Sequence, residues 1–133
     1  MKSTKKILVS ILMLFVIFMV NAQQNEIPSD VITAFKTGDA GKLSSYLNAN
    51  VELVIGKTND VFSKQQATGI INDFFKKNKV SDFSVLHNGN RESAGFVIGT
   101  LSTANGSFRV YILMRKSGSQ TLIQQLRIEP SNE

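Results

Sequence analysis

The stretch Gly95-Phe-Val-Ile-Gly-Thr-Leu-Ser-Thr103, Ala104-Asn-Gly106, Ser107-Phe-Arg-Val-Tyr-Ile-Leu-Met-Arg-Lys116 decides the fold. Two runs of β-branched and aromatic residues flank an Asn-Gly pair, whose tolerance of positive φ suits a tight hairpin. The same alternating period extends on both sides, over Val80 to Asn90 before it and Thr121 to Glu129 after it. Ser117-Gly-Ser-Gln120 supplies another turn. Strands joined by such short links are antiparallel neighbours, so the C-terminal half is a meander.

Upstream of Val80 the period is helical. Ser63-Lys-Gln-Gln66 is a capping-box pattern, and behind it Ala67, Ile70, Ile71, Phe74 and Phe75 fall on one helical stripe. Asp73 and Lys77 add an i, i+4 pair. Ile27, Val31, Ile32 and Phe35 form an earlier stripe, with Ser29 or Asp30 to cap it and Gly38 to stop it. Asp39 then caps a short helix carrying Ala40, Leu43 and Leu47, and Val51 to Ile55 reads as a strand. Helices, one strand, a helix and a meander predict an α+β domain, with helices packed on one face of a curved antiparallel sheet.

The first 22 residues read as something else. Lys2, Lys5 and Lys6 precede Ile7 to Val20, 14 residues in which only Ser10 is polar, and the small Ala22 suits a cleavage point. A charged start, an apolar middle and a small-residue exit describe a secretory signal peptide, and the run is short for a membrane span of about 20 residues. The expectation is an exported protein, periplasmic or secreted, whose single domain occupies residues 23–133 and keeps no permanent membrane span. The leader also explains the charge. Of 133 residues, 15 are Lys or Arg against 10 Asp or Glu; three cations leave with the leader, and 12 against 10 remain. Lys76, Lys77 and Lys79 form the one local cluster, at a helix C-terminus where cations complement the dipole. No nucleic-acid footprint remains, since such footprints span a whole face. Without Cys and with one His, thiolate sites and the usual His-rich metal sites are excluded, and neither a metal nor a cofactor is expected.

Phe35-Lys-Thr-Gly-Asp-Ala40 through Leu43 and Tyr46 resembles the opening of the nuclear-transport-factor-two-like superfamily, also called cystatin-like, which includes ketosteroid isomerase. Ile98-Gly-Thr-Leu101, Gly106-Ser-Phe-Arg-Val-Tyr-Ile112 and Ile123-Gln-Gln-Leu-Arg-Ile-Glu129 are similar to an exported bacterial subfamily known only as a domain of unknown function. The resemblance spans about Ile27 to Glu129. It implies a cone-shaped fold, three N-terminal helices packed on a curved antiparallel sheet, with a pocket between. It implies no activity, because the fold serves enzymes, binders and scaffolds alike.

Simple alternation places Phe83, Val85 and His87 on one face of their strand, and Leu122, Gln124, Leu126 and Ile128 on one face of the last. On the helix-covered side, the polar pocket candidates are then Tyr46, His87, Thr100 and Gln124. His87 titrates nearest neutrality, yet no acid shares its face to orient it. The other sheet face is expected to hold Val97, Leu101, Arg109, Tyr111, Leu113, Arg115 and Arg127, a mixture typical of protein interfaces. It predicts a homodimer through that face; the competing reading is a monomer whose long side chains cover their own apolar neighbours. No catalytic residue is assigned. The favoured function is a non-catalytic module binding a small apolar ligand or a protein partner, the alternative a small isomerase- or hydrolase-type enzyme with His87 as base in the cone pocket.

Overall fold

The computed structural model describes residues 27–131, so the leader assigned to residues 1–22 lies outside the described residues. Helix α1 (Ser29–Thr37) ends at Gly38, whose φ of 65° is the left-handed conformation that closes a helix without a Cβ penalty. Asp39 then caps α2 (Ala40–Ser44), its Oδ1 accepting the Lys42 N–H at 2.9 Å. Neither Ser29 nor Asp30 caps α1; Pro28 takes that position with no side-chain bond. Asp30 instead accepts a hydrogen bond from the Tyr46 hydroxyl at 2.9 Å.

Strand β1 (Leu47–Ile55) turns back at Gly56, φ 59°, into β2 (Thr58–Ser63). Only then comes α3 (Lys64–Lys77), followed by β3 (Val80–Arg91), β4 (Ala94–Thr103), β5 (Gly106–Ser117) and β6 (Gln120–Pro130). The sheet order is β2-β1-β6-β5-β4-β3. Two expectations need correction. The three helices are not all N-terminal, since α3 follows a hairpin where one strand was expected. Strand β2, Thr-Asn-Asp-Val-Phe-Ser, lies at a sheet edge and buries no residue fully, so its apolar alternation is faint. Nor is the sheet wholly antiparallel: β1 runs parallel to β6, Leu53 beside Leu126 and Ile55 beside Ile128. The long excursion through α3 and the meander permits that pairing.

The capping box forms as read, Ser63 Oγ accepting from Gln66 N–H at 3.2 Å and Gln66 Oε1 from Ser63 N–H at 3.4 Å. Its helix buries Ala67, Ile71, Phe74 and Phe75 against the sheet. The phenylalanines knit the layers: Phe35 of α1 lies 5.1 Å from Phe83 of β3 and 6.1 Å, edge-on, from Phe75 of α3. Phe74 meets Phe108 of β5 edge-on at 5.0 Å. Edge-to-face geometry adds about 0.5–1.5 kcal/mol per pair beyond area burial. The β4–β5 turn is latched to this layer, because Asn105 Nδ2 donates to Lys77 O at 2.6 Å and to Asn78 Oδ1 at 3.1 Å. The Asn-Gly pair thus serves as a clasp on the α3 C-terminus as well as a turn.

Candidate functional site: the outer face of the sheet

Register breaks decide what each face presents. In β3 the pairing skips a residue between Val85, opposite Gly99, and His87, opposite Ile98. Leu86 is the extra residue of a β-bulge, and a bulge reverses the faces that follow it. Phe83 and Val85 point to the helices, but beyond the bulge Asn88 and Asn90 inherit that side. His87 turns outward, exposed, its ring 5.5 Å from Phe96. The base role of the enzyme alternative needs His87 inside the cone, and the bulge puts it on the opposite face. A second break, between Leu113 and Met114 of β5, leaves Gln124 of β6 as a bulge residue and brings Ile123 into the core.

Strand β4 also presents the other parity from the one expected. Gly95, Val97, Gly99 and Leu101 are its buried positions, so Val97 and Leu101 belong to the core, at 1% and 0% exposure. The reason is legible in Gly99: a Cβ there would stand 2.5 Å from the Phe83 ring, which occupies the space above it. Phe96, Ile98 and Thr100 therefore line the outer face. Thr100 sits there between Arg109 and Ser84, away from any pocket beneath the helices.

The outer face is a grid of rows running across the strands. One row runs Val54, Arg127, Tyr111, Ile98, His87 from β1 to β3. The next runs Glu52, Gln125, Leu113, Phe96, Gly89. Arg109 and Glu129 pair on the other side of the first row, and Arg127 contacts Glu129 at 3.5 Å. Phe96, Ile98 and Leu113 are half-buried and Tyr111 is 38% exposed. The expected interface residues Arg109, Tyr111, Leu113 and Arg127 do share this face; Phe96 and Ile98 stand where Val97 and Leu101 were expected.

On the helix side, a cleft of about 290 Å³ opens between Ile27 and Ile32 of the α1 region and Val85, Val97, Asn88 and Asn90 of the sheet. Apart from Asn88 and Asn90 it has apolar walls. Of the four pocket candidates, none lines it. Tyr46 borders a separate shallow depression near the β5–β6 turn, and its hydroxyl is held by Asp30, whose hydrogen bond and negative charge raise the phenol's pKa above the ordinary value. The structure thus brings together four of the interface residues and none of the pocket residues. Among the described residues no polar or charged side chain is fully buried and no cluster of three His, Asp or Glu is placed to hold a metal ion. No described helix is long and apolar enough to cross a membrane.

The profile of a family described as a domain of unknown function, DUF4783, matches residues 28–129. The chain belongs to the DUF4783 family. A DUF4783 protein from Bacteroides ovatus is 49% identical, covers 81% of this chain and 98% of its own, and superposes with a TM-score of 0.79. Two more distant structures share the fold alone. One is a designed nuclear-transport-factor-two-like protein, 15% identical over 75% of this chain and 90% of its own, TM-score 0.61. The other is a cystatin-like domain of unknown function from Nostoc punctiforme, 8% identical over 79% and 73%, TM-score 0.62. No curated protein matches. This DUF4783 chain therefore shares the fold of the superfamily its sequence resembles.

Proposed function

We propose that this DUF4783 protein is an exported, non-catalytic binding module that acts through the outer face of its sheet, and that its first partner is a second copy of itself. The observation that carries the reading is the row Val54, Arg127, Tyr111, Ile98, His87 with Phe96 and Leu113 beside it. A solvated antiparallel face alternates to polar residues, whereas this one interleaves aliphatic and aromatic groups with arginines. Arg109, Arg115 and Arg127 share the face with Glu52 and Glu129, so a two-fold related copy offers charges of both signs. Export rests on the leader pattern of residues 1–22.

Native mass spectrometry of protein purified from its own host tests both parts at once. The expected species is a dimer of chains beginning at Gln23, converted to monomer by Ile98→Asp, which places a charge at the centre of the face. A wild-type monomer that retains the leader contradicts the proposal.

A second reading has its own support. The cleft beside α1 joins apolar walls to two amides, the makings of a site for a small apolar ligand with one polar end. A retained small molecule in the same spectrum, lost on Val97→Asn, identifies it.

A further inference from the structure

The outer face ends, at the β3–β4 turn, in a cavity of about 660 Å³ whose lining includes Phe96, Leu113 and Arg115 of the proposed dimer face. Phe96 and Leu113, paired across β4 and β5, form its apolar floor. Arg91 and Arg115 flank it. Each pairs with Ala94, Arg91 from β3 and Arg115 from β5, so the two arginines stand on either side of a methyl group. Their Cα atoms are two strand spacings apart, about 9–10 Å, a span over which two arginine side chains can converge on one anion. Among the described residues, neither guanidinium is engaged in an ion pair. Glu92 is the one acid lining the cavity, held at φ 55° in the turn, which leaves the lining one positive charge in excess.

Two guanidiniums above an aromatic and aliphatic floor match one ligand chemistry. Arginine's planar fork binds carboxylates with two parallel hydrogen bonds, which a neutral head group cannot accept in the same way. The floor rewards an apolar body, and the volume lies within the range of small-molecule sites. We propose that this cavity binds a small amphipathic carboxylate, its head group between Arg91 and Arg115 and its chain on Phe96 and Leu113. All the groups come from one chain, so the site goes beyond the dimer reading and does not require it.

Octanoate, octanol and acetate are the probes, each titrated into the domain of residues 23–133 while amide chemical shifts are followed. Octanoate is expected to shift the resonances of Ala94, Phe96 and Leu113 saturably, with octanol and acetate binding at least tenfold more weakly. Arg91→Gln and Arg115→Gln, separately, are each expected to weaken octanoate at least tenfold, the size of one lost charge-assisted bond. Arg115→Lys, which keeps the charge but loses the fork, is expected to fall between wild type and Gln. Octanol binding as tightly as octanoate, octanoate binding unchanged in both Gln variants, or no saturable shift by about 10 mM overturns the site. Sedimentation of the same samples separates the two proposals: a wild-type monomer that binds octanoate refutes the dimer alone, and a dimer that does not bind it, with an Ile98→Asp monomer that does not bind it either, refutes this site alone.

Discussion

Gly99 shows how one residue assigns a whole strand to its faces. A Cβ at this position would lie 2.5 Å from Phe83 Cζ and 2.9 Å from the carbonyl of Ser84. Phe83 is 1% exposed and packed on Phe35, so its ring has nowhere to move. Gly99→Ala is therefore expected to destabilise the domain by about 1–3 kcal/mol, the usual cost of overpacking, as measured by urea denaturation. Gly89 gives the contrast. Its Cβ would approach Phe96 at 2.7 Å, but that ring lies half-exposed on the outer face and can swing aside. Gly89→Ala should cost less than Gly99→Ala in the same measurement; equal losses would contradict the face assignment. A glycine at the same parity as Val97 and Leu101 was a visible sign of close packing. Counting alternation by side-chain type alone overlooked it.

At the scale of elements, the strongly periodic segments were legible. The capping box, the α3 stripe and the strands of the meander stand within a residue or two of their sequence boundaries. What the sequence concealed follows from two physical features. Strand β2 has one neighbour and little to bury, so its composition resembles a loop. The bulges at Leu86 and Gln124 break the period of two on which any face assignment depends, and a side chain's face beyond a bulge cannot be read by counting. That is why His87 and Gln124 were expected beneath the helices, while Asn88 and Asn90 were missed although Asn88-Gly89 hinted at an irregular strand. The tie between α1 and the entry to β1 was also hidden, because Asp30 and Tyr46 meet only in three dimensions. Its titration is directly testable. Asp30 raises the Tyr46 pKa above the usual value of about 10, so the bond contributes stability below that pH and loses it as pH rises through the folded-state value. Asp30→Asn is expected to lower the Tyr46 ionisation midpoint in an ultraviolet absorbance titration; an unchanged midpoint would show that the hydrogen bond does not form in solution.

The two sheet faces differ in character across the whole molecule. On the helix side Phe35, Phe74, Phe75 and Phe83 fill the centre, and a cleft stays open beside Ile27 and Ile32. The outer side keeps aromatic and aliphatic groups within reach of solvent and surrounds them with arginines. The mixed character of that face was legible from Arg109, Tyr111, Leu113 and Arg127, although two of its apolar members proved to be Phe96 and Ile98. The pocket was not legible, since its position depended on strand irregularities. The central claim is that the outer face is a binding surface whose first partner is another copy of the chain. Sedimentation equilibrium of residues 23–133 at high micromolar concentration tests it most directly. A mass of two chains is expected, falling to one chain in Ile98→Asp; a wild-type protein that sediments as a single chain at that concentration refutes the dimer.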